Sequence, residues 1–183
     1  MRNVSRAAAL AAAFMLVSAV AGAAGIDPVL QAKLDARMAA VKALAADPVV
    51  VEAVKAVNAT ARPEYADMTQ EKWVSLSVLD PLVRPLTRND AANTLKTKKA
   101  DEVSEAFVSA ASGVKVAFLS KPTNWSHKGK PKHDVPMTGK TWQGEIEMDE
   151  STGVQQIQVS VPVLEGGKPI GSLVVGFAVA KLR

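Results

Sequence analysis

The apolar periodicity of this chain changes once, at Gly113, and that change narrows the possible folds more than any other feature. Upstream, apolar residues recur at three- and four-residue steps. Leu30, Leu34, Met38, Val41 and Ala45 form the stripe of an amphipathic helix, opened by Asp27 as N-cap and Pro28 at the first helical position. Asp47-Pro48 repeats the start signal. Val50, Val51, Val54 and Val57 then form a second apolar face, either a new helix or a continuation past a kink. Arg62-Pro63 breaks it. Thr69 caps a third helix running to about Leu79, with Trp73 and Leu76 inward, and Asp80-Pro81 and Pro85 enforce irregular chain. Asn89 or Asp90 begins another helix. Val103, Phe107 and Ala110/Ala111 predict a last one, ended by Gly113.

Beyond Gly113 the signals are those of strands. Val114 to Ser120 is rich in β-branched and apolar residues. Lys121 to Thr138 is polar, holds Pro122, Pro131 and Pro136, and reads as a long loop of the kind that often carries function. Thr141 to Met148 predicts a strand, and Asp149 to Gly153 a turn. Val154 to Leu164 alternates, with Ile157, Val159, Val161 and Val163 on one face and Gln156, Gln158 and Ser160 on the other. Glu165-Gly-Gly-Lys168 is a hairpin turn whose glycines supply positive φ. Pro169 to Val179 is almost wholly apolar, as expected of a central strand covered on both sides. Helices followed by antiparallel hairpins imply an α+β fold.

The N-terminus reads as an export signal. Arg2 and Arg6 precede an uncharged, alanine-rich run from Ala7 to Val20, and small residues follow at Ala21 to Ala24. The run is shorter than the roughly 18 to 20 residues that span a bilayer. The expectation is therefore a signal peptide over residues 1–23, cleavage near Ala23 or Ala24, and a periplasmic product. Residues 24–68 then form an N-terminal helical region and 69–183 the sensor-like domain. Without Arg2 and Arg6, 20 basic residues face 18 acidic ones, a net charge of +2. That balance gives no footprint for nucleic acid. There is no Cys, so disulfides and thiolate metal sites are excluded.

The order of features from about Gln70 to Val179 resembles a single Cache domain, the extracytoplasmic PAS-like sensor fold also called PDC. The resemblance rests on Val114-Lys-Val-Ala-Phe-Leu, a loop with a Trp, Gly139-Lys-Thr-Trp-Gln-Gly144, and above all the hairpin Ile157 to Gly176 with its Pro-Val, Gly-Gly and Pro-Ile-Gly elements. It implies N-terminal helices followed by a five-stranded antiparallel PAS-like sheet, with a small ligand held between one sheet face and its covering loops. It also implies Trp142 and Asp149 as pocket residues. Cache domains usually sit between two membrane helices of a chemoreceptor or kinase. Neither a second span nor a signalling domain is expected here, so the resemblance implies a separate membrane partner such as a sensor kinase or chemoreceptor. Cache domains typically pair through their N-terminal helices, which implies a homodimer.

Each candidate site residue has a plain structural alternative. Trp125 and Trp142 flank the long loop and either wall a ligand or cap the sheet as core. Lys121, Lys128, Lys130 and Lys132 read first as a solvated run and second as positive charge over a pocket for a carboxylate or phosphate, the ligand expected overall being a small molecule such as a carboxylate or amino acid. Lys140 and His127 join that candidate set. Gln158 and Ser160 are hydrogen-bonding candidates if the polar face of their strand lines a cavity, and simple surface if it faces water. His127, His133 and Asp134 lack the spacing of a metal site, and no nucleophile stands in a recognisable motif. The reading is a ligand-binding or sensory module without catalysis, cofactor or metal. Its alternative is an interaction protein of the same fold that has no ligand and docks on a membrane sensor or transporter.

Overall fold

The structure is a computed structural model that describes residues 26–149 and 153–182. The export signal and its cleavage site fall at residues 1–25, outside the described residues. No helix among the described residues is long and apolar enough to cross a membrane.

Local chemistry sets the helix boundaries. In α1 (Pro28–Ala45) the Asp27 carboxylate accepts from the backbone N–H of Val29 and Leu30, at 2.9 and 3.1 Å. Asp47 leaves the helical region (φ −58°, ψ 128°) and caps α2 (Pro48–Ala59), so the two proline-led segments are separate helices and not one kinked helix. Thr69 caps α3 (Gln70–Ser75), which stops short of Leu79. Asn89 caps α4 (Asp90–Lys98) by accepting from Ala92 N–H at 2.8 Å. Short 3₁₀ turns at Pro63–Tyr65 and Arg84–Thr87 fill the proline-rich connections.

The predicted helix around Phe107 is instead a strand, β1 (Val103–Ala110). Its residues are covered on both sides. Ala106, Val108 and Ala110 join the core beneath the helices, while Phe107 joins a second apolar cluster on the opposite face. A strand buried on both faces loses the two-residue alternation, and its alanines and serines blunt β propensity. What remained was a four-residue step that mimicked a helix. Gly113 still ends the element, but at the turn of a hairpin. It holds φ +82°, and a Cβ there would lie 2.8 Å from Ser126 Oγ.

β1 pairs antiparallel with β2 (Lys115–Phe118) and with β5 (Lys168–Ala178). β5 pairs with β4 (Gln155–Glu165), and β4 with β3 (Trp142–Met148). The order β2-β1-β5-β4-β3 puts the apolar C-terminal strand at the centre, as its composition predicts. Gly166 and Gly167 both hold positive φ, 55° and 80°, and close a two-residue hairpin with Glu165 opposite Lys168. The predicted long loop contains a one-turn helix, α5 (Pro131–Asp134), and a 3₁₀ turn at Pro136–Thr138. A last turn, α6, covers Val179–Leu182.

The sheet has two unlike faces. On the inner face α1 and α2 bury Leu34, Val50 and Val54 completely against Ile157, Val159, Val163 and Leu173. Each such side chain contributes about 1.5–3 kcal/mol of burial free energy. On the outer face the aromatic cluster of Trp73, Phe107, Phe118 and Trp125 covers the β1–β2 end. The segment 131–138 covers β4 and β5. Between those covers the outer face is polar.

Candidate functional site

Gln156, Gln158 and Ser160 on β4, Ser172 on β5, and Glu105 and Ser109 on β1 project from the outer face. All but Glu105 are buried. Buried polar groups are costly unless they are hydrogen-bonded, and here they are. Lys132 Nζ donates to Gln158 Oε1. Gln158 Nε2 donates to Glu105 Oε1, which also accepts from Gln156 Nε2 at 2.8 Å. Ser104 Oγ donates to Gln156 Oε1 at 2.6 Å. Glu105, Gly176 and Gln158 lie side by side on three adjacent strands. Gly176 leaves the room for this meeting, since a Cβ there would stand 2.8 Å from Glu105 Cγ and collide with the Gln156 carboxamide. Burial pushes the Glu105 carboxyl above its ordinary 4.5, against the pull of the two carboxamide donors.

Glu105, Gln156 and Gln158, with Phe107, floor a cavity of about 200 Å³. Its walls are Pro122, Thr123, Asn124 and His127 from the loop after β2, Lys132 from α5, and Glu147 to Asp149 at the end of β3. The loop wall is anchored by α3. Trp73 Nε1 donates to Pro122 O at 2.8 Å, Gln70 Nε2 donates to Thr123 O at 2.8 Å, and Gln70 Oε1 accepts from Trp125 N–H at 3.0 Å. The α5 wall is held by Ser160 Oγ, which donates to Lys132 O at 2.6 Å. His133 is buried beneath it, with Nδ1 2.8 Å from Ser172 Oγ and Nε2 3.3 Å from Ala111 O. Nε2 therefore carries the proton and donates to the carbonyl. Burial holds this imidazole below its ordinary 6.5, consistent with the neutral form.

Behind the wall lies a buried basic pair. Lys115, on β2, is fully buried. Its Nζ donates to Ser109 Oγ at 3.1 Å, contacts His127 Nδ1, and sits 4.4 Å from the centre of the Phe107 ring. Burial first, then the Lys132 charge, drives its amine well below 10.5. The His127 ring stacks on Phe107 at 4.6 Å, and burial with the nearby Lys115 charge pushes its imidazole down to about 2.

Of the seven sequence candidates, His127, Asp149 and Gln158 line this cavity. Ser160 stands behind it as the anchor of α5. Trp125 is packed into the aromatic cluster, 5.0 Å from both Tyr65 and Trp73, and holds the loop without lining the cavity. Trp142 lies on edge strand β3 opposite Ser160, folded over Gly144, and Lys140 is exposed. Neither lines the cavity. Sequence reasoning missed Glu105 and Phe107, because their strand read as a helix. It also missed Lys115, whose signal was a lone charge inside an apolar strand.

A larger hollow of about 660 Å³ lies between α2, α4 and the 3₁₀ turn at Pro63–Tyr65. It is an open groove lined mainly by aliphatic side chains and rimmed by Arg62, Glu52 and Asp90. The smaller cavity is the better candidate despite its size, because polar groups converge there on the sheet.

No protein-family model and no curated protein matches the sequence. Solved structures do match in fold. The sensor domain of the V. cholerae histidine kinase DctB superposes with a TM-score of 0.51 at 12% identity, over 84% of this chain and 53% of that one. The E. coli DcuS sensor domain gives 0.50 at 11%, over 85% and 96%. The chain thus spans about half the length of the DctB domain and nearly all of the DcuS domain. Its fold is that of a single Cache (PDC) sensor domain, α+β with a five-stranded antiparallel sheet.

Proposed function

From the PDC sensor fold as premise, we propose that this chain is an extracytoplasmic small-molecule-binding module of sensory type. It works without catalysis and reports through a separate membrane partner. The observation that carries the reading is the cavity on the outer sheet face, floored by the hydrogen-bonded Glu105, Gln156 and Gln158 and walled by His127, Lys132 and Asp149. A volume near 200 Å³ suits a small metabolite such as a carboxylate or an amino acid. The absence of catalysis is supported by the hydroxyl-and-base contacts among the described residues of the region, since Ser172 Oγ meets His133 Nδ1 where both are buried and outside the cavity lining. Ser109 Oγ meets Lys115 Nζ, but both residues are fully buried, so no substrate carbonyl reaches them.

The rival reading, a ligand-free docking protein, calls for an apolar stripe along the N-terminal helices. Among the described residues, the exposed large apolar side chains of α1 and α2 are Val29 and Val49, at the start of each helix. That pattern favours the binding module. Thermal melting against amino acids, short carboxylates, purines and phosphate tests it. A compound at 100 times its Kd stabilises by about 2.7 kcal/mol, several degrees for a domain of this size. The shift should vanish in Gln158→Leu. No shift with any compound, from a cooperatively melting domain, transfers the assignment to the docking protein.

A further inference from the structure

An amphipathic helix at a protein surface needs one apolar stripe, and α2 carries two. Val50 and Val54 are fully buried in the core beneath the sheet. Val49, Ala53 and Val57 recur at four-residue steps on another face and line the groove of about 660 Å³ between α2 and α4. Val49 is exposed, and Ala53 and Val57 are half-buried, so the fold covers this second stripe only in part. Leu86 and Ala91 also line the groove. Its polar side chains are largely committed. Asn89 donates to Val116 O and accepts from Ala92 N–H, both at 2.8 Å. Arg62 Nη2 donates to Lys115 O at 3.0 Å, and its guanidinium lies 4.6 Å from the Tyr65 ring centre. What remains is acidic. The lining holds the carboxylates of Glu52, Glu64 and Asp90 against that single guanidinium. Glu52 is ion-paired with Lys55, while Glu64 and Asp90 are exposed and have no ion pair among the described residues. Tyr65 joins the groove to the cavity. It lines the groove, and its ring stacks 5.0 Å from Trp125, in the loop whose Thr123, Asn124 and His127 wall the cavity.

Resting on the binding-module reading, we propose that the groove between α2 and α4 is the surface through which the module reports, and that it receives an amphipathic helical segment of the partner whose apolar stripe is flanked by lysine or arginine. The wall from Val49 to Val57 runs for about 12 Å, the length of two helical turns. The partner's apolar stripe seats on Val49, Ala53 and Val57, and its basic flanks meet Glu64 and Asp90. The same carboxylates repel an acidic segment and an anionic lipid surface. A helix pressed on Tyr65 bears on Trp125, and through it on the loop that walls the cavity.

The probe is a capped peptide of about 18 residues, long enough to hold a helix in water, with leucine and alanine along one face and lysine at both ends. It is titrated into the whole chain with no small compound added. It should bind about tenfold tighter than a scrambled peptide of the same composition, and about tenfold tighter than the version with glutamate in place of lysine. Amide shifts should centre on Val49, Ala53, Tyr65 and Ala91. Ala53→Lys, which fills the groove with a like charge, should lose about tenfold. Glu64→Lys should reverse the preference for lysine over glutamate flanks. Val49→Asn, at an exposed position, takes the place of Ala53→Lys if that variant does not fold. Amide exchange at Thr123 to His127 should slow when the peptide binds. Failure of the peptide to bind, equal binding of the scrambled peptide, or shifts centred on the exposed Val78 and Leu79 overturns the docking assignment. So does a dimer of the chain that Ala53→Lys dissociates, which gives the groove to a second copy. Unchanged exchange at Thr123 to His127 overturns the reporting role. None of these readouts involves the cavity's ligand, so their failure leaves the binding module standing or falling on the compound panel alone.

Discussion

Gly176 carries no side chain, and the floor of the cavity depends on that. A methyl group there would stand 2.8 Å from Glu105 Cγ and drive the Gln156 carboxamide out of place. Gly176→Ala is expected to destabilise by about 1–3 kcal/mol through overpacking, seen as a lower urea midpoint with an unchanged m-value, and to remove any ligand-dependent rise in melting temperature. The buried bases make a second residue-level prediction. His127 is held near 2 and His133 below its ordinary 6.5, so unfolding below pH 6.5 takes up protons at both. Their contribution is present above 6.5 and is lost as pH falls, at up to about 1.4 kcal/mol per unit for each group. Lys115, held well below 10.5 by burial, acts in the same direction over the range between its lowered folded value and 10.5. Glu105 acts oppositely, and only between 4.5 and its raised value. The melting temperature should therefore fall from pH 7.5 to 5.5, and His127→Gln should flatten the slope. A slope unchanged in that variant would mean that His127 titrates normally in the folded chain.

Among the elements, the loop from Pro122 to His127 owes its shape to α3 and the aromatic cluster. Trp125 packs between Tyr65 and Trp73, with Arg62 stacked 4.6 Å from the Tyr65 ring centre. Trp125→Ala should cost about 3–5 kcal/mol, and the cavity wall should loosen, measured as faster amide exchange at Thr123 to His127. Trp142→Ala, on edge strand β3 and outside the cavity, should leave ligand binding within about twofold of wild type and cost less stability. Equal losses of stability in the two variants would contradict this division. The helices were legible because Asp27-Pro28, Asp47-Pro48, Thr69 and Asn89 are local chemistry, read within one turn of chain. β1 was not, because its neighbours on both faces are distant in sequence and erase the alternation that marks a strand. Glu105 went with it. Lys132 and His127 stood in view as part of a basic loop, yet their roles depend on Gln158 and Lys115, which only the folded sheet brings to them.

At the scale of the molecule, the sheet divides an apolar core from a polar outer face. Its inner face is sealed by α1 and α2. Its outer face is roofed at one end by aromatics and at the other by the segment 131–138, with a polar gap between. The alternation of β4 made both faces readable from sequence, and left open whether the polar one met water or a cavity. The closing segment, a one-turn helix inside a proline-rich loop, decides that question, and no periodicity announces it. The central claim is that a small polar molecule binds in this gap. Amide chemical-shift mapping during titration with the compound that most raises the melting temperature tests that directly. The account predicts shifts concentrated at Glu105, His127, Lys132, Gln156 and Gln158. Shifts confined to Val49, Ala53, Tyr65 and Ala91 would instead place the ligand in the groove between α2 and α4, and contradict it.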